Sequence, residues 1–252
     1  MTTVFAVANQ KGGVAKTTTV HSLGGALAER GRRVLLVDLD PQACLTYSLG
    51  IDPNGLSVSL HDVLVHQRPA EEALTKVGDV HLLPATIDLA GAEIYLLSKT
   101  GREYALAHAL ASIVANYEVV LIDCPPSLGI LTIDGLTAAT EVLIPLQCET
   151  LSSRGVGQLL ETVDDVRKFT NPHLGVAGVV VTMYDPRTRL AQQVLTSVRE
   201  DYGLAVLPPP IPKSIRVAEA PGVSLSVLQH APHSPAAEAY RALAETIERR
   251  LA

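Results

Sequence analysis

The sequence of 252 residues has only three cysteines, which are isolated from one another at Cys44, Cys124 and Cys148. No two of them have the spacing of a metal site or a redox-active dithiol, and an odd number of separate thiols is typical of a reducing compartment. The sequence therefore excludes a disulfide framework. It also fails to support an iron–sulfur carrier, which needs cysteines placed to share a cluster.

Long apolar runs are also missing. The N-terminal run at 4–8 is short and lacks the basic flank of a signal peptide, and the longest later run, at 174–183, is well short of a membrane span. We therefore expect a soluble, cytoplasmic protein.

No stretch rich in proline, glycine and serine divides the chain, and the sequence contains no internal repeat or low-complexity tract. A hydrophobic content of 47% is enough to bury one large core. We predict a single domain over residues 1–252.

Acidic residues outnumber basic ones, and the formal net charge of −6 argues against a protein that coats nucleic acid with its whole surface. The segment 187–217 departs from this average, because it holds five basic residues and two acidic ones. Spacing alone leaves two interpretations of this segment open: an ordinary solvated surface or a contact with DNA.

Short β-branched runs alternate with helical patterns along most of the chain. This alternation is typical of an α/β protein with a mostly parallel twisted sheet that helices cover on both faces. The predicted strands are 4–8, 34–38, 80–83, 119–123, 142–145 and 176–182. The predicted helices are 17–30, 87–99, 103–115, 128–139, 154–169, 190–202 and 235–251.

A glycine-rich segment at 9–19, Asn-Gln-Lys-Gly-Gly-Val-Ala-Lys-Thr-Thr-Thr, joins the first predicted strand to the first predicted helix. Successive backbone N–H groups and the positive end of a helix there favour the phosphates of a nucleotide. Lys16 would supply charge and Thr17 a hydroxyl for Mg²⁺. Lys11 opens the segment, at a place from which its side chain is free to reach a neighbouring molecule's nucleotide.

Aspartates lie at the ends of two further predicted strands. Asp38 and Asp40 flank Leu39, so an extended backbone would point both carboxylates to the same side. Asp123 ends an apolar strand. Because ligands of open parallel sheets bind at the carboxyl ends of the strands, these residues are candidates for one site. A helix cap for Asp123 and a surface loop for Asp40 are the alternatives.

The segment from Lys11 to Thr17 resembles the pattern Lys-Gly-Gly-x-x-Lys-Thr of the deviant Walker A ATPases, a branch of the P-loop NTPases. The ParA/Soj family is the most similar branch, and the segments 34–42, 119–127 and 216–221 support it. The resemblance implies ATP and Mg²⁺ as cofactors. It also implies an ATP-dependent homodimer in which Lys11 contacts the phosphates bound to the other subunit.

The resemblance further implies roles for individual residues. Catalysis is assigned to Lys11, Lys16 and Asp40, of which Asp40 orients the attacking water, and Mg²⁺ to Thr17, Asp38 and Asp123. Nucleotide binding is assigned to Lys11, Gly12, Gly13, Val14, Ala15, Lys16, Thr17, Thr18, Met183, Pro212 and Ser214.

Ala15 stands where many members of that family have glycine. If the position requires a positive φ, the Cβ atom costs of order 1 kcal/mol. A scaffold that binds ATP without hydrolysing it is therefore one alternative function.

Four basic residues are assigned to DNA by the same resemblance. Arg187 and Arg216 fall where ParA/Soj proteins bind double-stranded DNA without sequence preference, and Arg189 and Lys213 would contribute more weakly. The expected function is segregation of a chromosome or plasmid, with association with the nucleoid and slow hydrolysis stimulated by a ParB-like, centromere-binding partner. Because the phosphate loop begins by residue 9, we expect no N-terminal helix-turn-helix domain.

A MinD-like ATPase that cycles on a membrane is the main rival. Such a protein should end in a basic, strongly apolar amphipathic helix. The last predicted helix instead has a mild apolar stripe that we expect to face the core, formed by Ala236, Ala237, Tyr240, Leu243, Ile247 and Leu251. We expect no membrane partner.

Overall fold

A computed structural model of the chain describes residues 2–149 and 152–251. The strands are β1 (Thr3–Val7), β2 (Val34–Asp38), β3 (Thr75–Val77), β4 (Val80–Leu83), β5 (Val119–Asp123), β6 (Glu141–Gln147), β7 (Gly175–Thr182) and β8 (Val206–Leu207). The helices are α1 (Lys16–Glu29), α2 (Cys44–Ser48), α3 (Leu60–His66), α4 (Ala70–Ala73), α5 (Leu89–Leu97), α6 (Ala105–Leu110), α7 (Ile130–Ala138), α8 (Ser152–Phe169), α9 (Arg189–Glu200), α10 (Ile215–Glu219), α11 (Val227–His230) and α12 (Pro235–Leu251).

The eight strands form one sheet in the order β3-β4-β2-β5-β1-β6-β7-β8. All neighbours are parallel except the hairpin of β3 and β4. The central strands β2 and β5 are buried along their whole length. Such strands need a cover on both faces, which explains their nearly continuous apolar sequences. The prediction of an α/β fold with a mostly parallel sheet is confirmed.

Alternate residues of each strand serve two separate hydrophobic cores. In β1, Phe5 and Val7 belong to one core and Ala6 to the other. The Phe5 core is closed by α1 and α12, where Tyr240 is fully buried. The apolar stripe of α12 was expected to face the core. Leu251 is partly buried and the other residues of the stripe are fully buried, which confirms the expectation.

The predicted helix 103–115 is wrong in extent, because α6 covers only its centre and short 3₁₀ turns lie on either side. The interruption has a tertiary cause. Asp134 of α7 accepts a hydrogen bond from the backbone N–H of Leu106 at 3.0 Å, which fixes the start of α6 there. Burial raises the pKa of Asp134 to about 7.

Two strands and five helices were not predicted: β3, β8, α2, α3, α4, α10 and α11. Each has seven residues or fewer, too few for an apolar period to be visible. Among residues 2–149 and 152–251, no helix combines the length and the apolar character that crossing a bilayer requires.

The pairing of β7 with β8 depends on Gly178. Its φ is +139°, and a Cβ atom at this position would lie 2.5 Å from the backbone oxygen of Ala205. That oxygen accepts the hydrogen bond of Val179 N–H at 2.8 Å, so it cannot move away without losing the pairing.

We predict that Gly178→Ala lowers the free energy of unfolding by about 2–4 kcal/mol, because the new methyl group meets backbone in a conformation that L-residues avoid. Urea denaturation followed by circular dichroism measures the change. Gly222→Ala is the matched control, since open space surrounds Gly222 and we expect a change within about 0.5 kcal/mol. Equal losses in the two variants would contradict the argument.

Candidate functional site

The residues singled out in the sequence converge at the carboxyl edge of the sheet. β1, β2 and β5 are neighbours, and Asp38 and Asp123 are directly opposite each other in the register of β2 and β5. The glycine-rich loop follows β1, which pairs with β5 on the other side. Because parallel strands end at one edge, the strand order alone brings the loop and both aspartates together.

Hydrogen bonds from two side chains connect the glycine-rich loop to the sheet. Asn9 is buried and donates a hydrogen bond to the backbone oxygen of Pro145 at 2.7 Å, while its Oδ1 accepts the N–H of Lys11 at 3.0 Å. Thr182, at the end of β7, donates from its hydroxyl to the backbone oxygen of Val14 at 3.0 Å. Gly12 and Gly13 remain exposed between these anchors.

Ala15 has φ 65° and ψ 37°, which is the left-handed conformation, immediately before α1. The backbone at Ala15 therefore does have a positive φ, and the Cβ atom there costs of order 1 kcal/mol. The turn aims the positive end of α1 at the space above the loop, where it favours an anion.

The two lysines of the loop have different environments. Lys16 is only 7% exposed and lines the cleft above the loop, and its Nζ donates to the backbone oxygen of Lys11 at 3.3 Å. Burial lowers the pKa of Lys16, and the carboxylate of Asp123 opposes this most strongly. The Lys11 side chain is one-third exposed, forms an ion pair with Glu149 and does not line the cleft.

Asp123 is buried, and neither of its carboxylate oxygens has a hydrogen-bond partner among the described residues. It therefore caps no helix, which rules out that alternative. Burial raises the pKa of Asp123, and the neighbouring Asp38 raises it further, whereas the Thr17 hydroxyl and Lys16 lower it. Buried carboxylates are costly unless a partner compensates them, and the hard oxygens of Asp123 and Thr17 are ligands that Mg²⁺ prefers.

Asp38 differs from Asp123 because hydrogen bonds hold it. One oxygen accepts from the backbone N–H and the hydroxyl of Thr46 at 2.8 and 2.7 Å, and burial raises the pKa of Asp38 to about 7. Asp40 is partly exposed and lines the cleft. The Asp40 N–H donates to Asp38 at 3.3 Å, and its carboxylate accepts the N–H of Gln42 at 3.0 Å. Asp40 is thus a residue of the cleft and not merely of a surface loop.

The cleft has a volume of about 580 Å³, in the range of small-molecule sites. Met183, Pro212 and Ser214, which the resemblance assigned to the nucleotide, are among the residues that line it. A bridge between Tyr184 and Pro212 brings these segments together, with Ile211 N–H donating to Val181 at 2.7 Å. Besides Lys11, Val14 is the one assigned loop residue that does not line the cleft; it is fully buried beneath it.

His21, Ser22 and Ser48 also line the cleft, and sequence reasoning missed all three. The ring nitrogen Nδ1 of His21 is 3.2 Å from the Ser48 hydroxyl. Burial lowers the pKa of His21 to about 4, so the imidazole is neutral at physiological pH. The sequence did hold a signal for His21 and Ser22. They are four positions after Thr17 and Thr18, so they lie on the same face of α1 as those two residues.

The four basic residues assigned to DNA are all exposed, and one of them, Lys213, lines the cleft. Lys213 N–H donates to the backbone oxygen of Tyr184 at 3.3 Å, which joins the segments that carry Arg187 and Lys213. The Arg187 guanidinium lowers the pKa of Asp185 to about 2, with a smaller contribution from Lys213.

Nearby carboxylates reduce the positive charge of this surface. Arg187 binds Asp185 through two nitrogens at 2.9 and 2.8 Å, and Arg216 pairs with Glu219 at 3.0 Å. The four basic residues therefore carry a smaller local excess than their number suggests. Arg199 is at the far end of α9, about 15 Å from Arg189, and does not join them.

Comparison with known proteins gives consistent results. The sequence profile described as an AAA domain matches residues 2–176. Soj, the sporulation initiation inhibitor protein of Bacillus subtilis, is 44% identical over 97% of this chain and 97% of its own. The chromosome partitioning protein ParA of Caulobacter vibrioides is 45% identical over 97% of this chain and 93% of its own.

A solved structure extends the comparison to three dimensions. A Mycobacterium smegmatis protein described as cobyrinic acid a,c-diamide synthase, with bound ADP and magnesium, is 54% identical and superposes with a TM-score of 0.88. The match covers 99% of this chain and 95% of that one.

We predict that Asp123→Asn raises the free energy of unfolding by about 1–3 kcal/mol in EDTA at pH 8, because burial and the neighbouring Asp38 disfavour this charge more than Thr17 and Lys16 stabilise it. Added Mg²⁺ with ATP should stabilise the wild type more than the variant. Chemical denaturation with and without the ligands measures both effects. Asp40→Asn is the control, with little change expected in EDTA, and a destabilised Asp123→Asn would refute the cost assigned to this carboxylate.

Proposed function

This chain belongs to the family of the Soj and ParA chromosome-partitioning ATPases, and we propose that it binds ATP with Mg²⁺ in the cleft, dimerises and hydrolyses ATP slowly. The contrast between Lys16 inside the cleft and Lys11 outside it is the observation that carries the proposal. A single bound nucleotide uses one lysine, so the second one is available to a partner's nucleotide.

The phosphates would lie against the loop from Gly12 to Thr18, with the positive end of α1 below them. Thr17 and Asp123 would hold Mg²⁺, with Asp38 supporting from its bonds to Thr46. The metal would neutralise charge on the phosphate oxygens. Met183, Pro212 and Ser214 would form the wall against which the base lies.

Asp40 is the residue that we assign to the attacking water. Its carboxylate lines the cleft, and its backbone N–H is tied to Asp38, so it stands beside the metal ligands. Orientation of the water and electrostatic stabilisation are the main work in phosphoryl transfer. The strain at Ala15 lies in the loop that holds the phosphates, which is consistent with slow turnover.

Dimer formation would move Lys11 from Glu149 to the partner's phosphates. Both side chains of this ion pair are substantially exposed, and exposed pairs contribute only about 0–1 kcal/mol. A nucleotide with several negative charges therefore competes easily for Lys11. Breaking this ion pair therefore adds little to the free-energy cost of dimerisation.

The exposed basic residues would bind the phosphates of double-stranded DNA without reading its sequence. One such surface with partly neutralised arginines binds weakly, but two surfaces joined in a dimer gain from effective concentration. Binding would then require ATP and end after hydrolysis. A ParB-like, centromere-binding partner would stimulate that step, and the protein would associate with the nucleoid.

The Mycobacterium smegmatis relative raises amide synthesis as another function. If this chain made an amide through a covalent intermediate, an activated cysteine thiolate would be one suitable nucleophile. Burial raises the pKa of Cys44, Cys124 and Cys148, the three cysteines of the chain. The thiolate form of all three is thus disfavoured, and the ATPase remains the function that the site supports best.

We predict that Lys16→Ala abolishes ATP binding, whereas Lys11→Ala retains one ATP per monomer and fails to dimerise. The reason is that Lys16 belongs to its own cleft and Lys11 does not. Calorimetric titration of ATP and light scattering after size exclusion, in ADP, ATP and no nucleotide, measure the two properties. Equal loss of ATP affinity in both variants would contradict the assignment of Lys16 to the chain's own nucleotide and of Lys11 to the partner's.

We predict that Arg216→Glu weakens ATP-dependent binding to all double-stranded DNA sequences alike and spares dimerisation. Loss of a phosphate contact should also make the salt dependence less steep. Fluorescence anisotropy over a salt series measures both. Arg199→Glu, equal in charge change but distant, is the control and should bind nearly as the wild type does. A wild-type ATP dimer that ignores DNA at low salt and binds anionic vesicles would instead support a membrane-cycling ATPase.

A further inference from the structure

A second group of potential ligands lies far along the chain from the cleft residues. His61, Asp62 and His66 of α3 each place one nitrogen or oxygen ligand atom so that all three atoms lie within 4.8 Å of one another. No residue between positions 49 and 125 lines the cleft. The group thus lies outside the cleft. It sits on α3, whereas the assigned Mg²⁺ ligands are Thr17 of α1 and Asp38 and Asp123 at the ends of β2 and β5.

The helix geometry explains why these three side chains meet. Asp62 and His66 are four residues apart, so they share one face of α3. Helical side chains lean toward the N-terminus, which brings the His66 ring back toward the first turn. The rings of His61 and His66 are edge to face, with centroids 5.4 Å apart.

The carboxylate of Asp62 is already oriented. One of its oxygens, Oδ2, accepts hydrogen bonds from the backbone N–H and the hydroxyl of Ser59, at 2.8 and 3.1 Å. These two bonds fix the orientation of the carboxylate. The second oxygen, Oδ1, is left to act as a ligand, in the way that outer hydrogen bonds orient carboxylates at metal centres.

The three side chains are accessible from solvent. His61 and Asp62 are partly buried and His66 is exposed, whereas Leu60, Val63 and Leu64 of the same helix face the core. An ion could therefore reach the ligands without unfolding α3. The shift in ligand positions that it needs is modest, since tetrahedral ligands about 2.1 Å from a metal are roughly 3.4 Å apart.

We propose that His61, Asp62 and His66 form a binding site for a divalent late first-row transition ion, with Zn²⁺ as its occupant. Two imidazoles and one carboxylate suit Zn²⁺, and they are a poor set for Mg²⁺ or Ca²⁺, which prefer oxygen ligands alone. Three protein ligands leave a fourth position for water. The ion would link the first turn of α3 to its last residue and stabilise a helix of only seven residues.

The test is a titration of EDTA-stripped, desalted protein with Zn²⁺ in competition with a chromogenic chelator, without nucleotide. We expect one Zn²⁺ per chain, and at least a tenfold weaker affinity in His61→Ala and in His66→Ala. His233→Ala, which removes an exposed histidine elsewhere, is the matched control and should bind as the wild type does. Equal affinity in the wild type and His66→Ala overturns the proposal.

Two further variants separate ligand loss from misfolding and from the cleft. Asp62→Asn keeps an acceptor for Ser59 and should leave the fold intact while weakening Zn²⁺ binding. Asp123→Asn should leave the stoichiometry at one, and loss of the Zn²⁺ in that variant places the ion in the cleft and overturns the proposal. Visible absorption of the Co²⁺ form should show the strong bands of four-coordination in the wild type and lose them in His66→Ala.

Discussion

Burial of two carboxylates side by side is the constraint on which this site depends. Strand order makes β2 and β5 neighbours, and their register sets Asp38 directly opposite Asp123. Two hydrogen bonds from Thr46 hold the first carboxylate, whereas the second has no hydrogen-bond partner among the described residues and is stabilised less by Thr17 and Lys16 than burial and Asp38 destabilise it. A fold selected only for stability would not keep that arrangement, since a buried acid without full compensation costs free energy. The arrangement makes sense if a cation completes it.

The phosphate loop is likewise held in a conformation that costs free energy but suits the binding of a ligand. Ala15 holds a left-handed conformation, and Lys16 is buried with a long bond to the backbone oxygen of Lys11. Anchors on β6 and β7 keep the loop in this shape. The cost of order 1 kcal/mol at Ala15 is thus met by tertiary contacts and not by the loop's own preference. Local strain at a binding loop, supported from outside, is common at functional sites.

The sequence predicted the parts of the fold that have a period or a motif. Six strands and most long helices were found because their apolar patterns extend far enough to be seen, and the loop and three aspartates were found by spacing. The failures have tertiary causes. Asp134 of α7 decides where α6 begins, and the ion pair of Lys11 with Glu149 joins residues 138 positions apart. His21 was overlooked because its role in lining the cleft depends on Ser48 and on the distant segment 211–227.

The two edges of the sheet have a consequence for behaviour at high concentration. Unpaired backbone groups on long, flat edge strands recruit other chains and lead to aggregation. Here the edge strands are β3, with three residues and the exposed Lys76 at its centre, and β8, with two residues. Neither offers a template long enough to extend. Many copies can therefore crowd together without sheets joining edge to edge, which leaves self-association to side-chain chemistry.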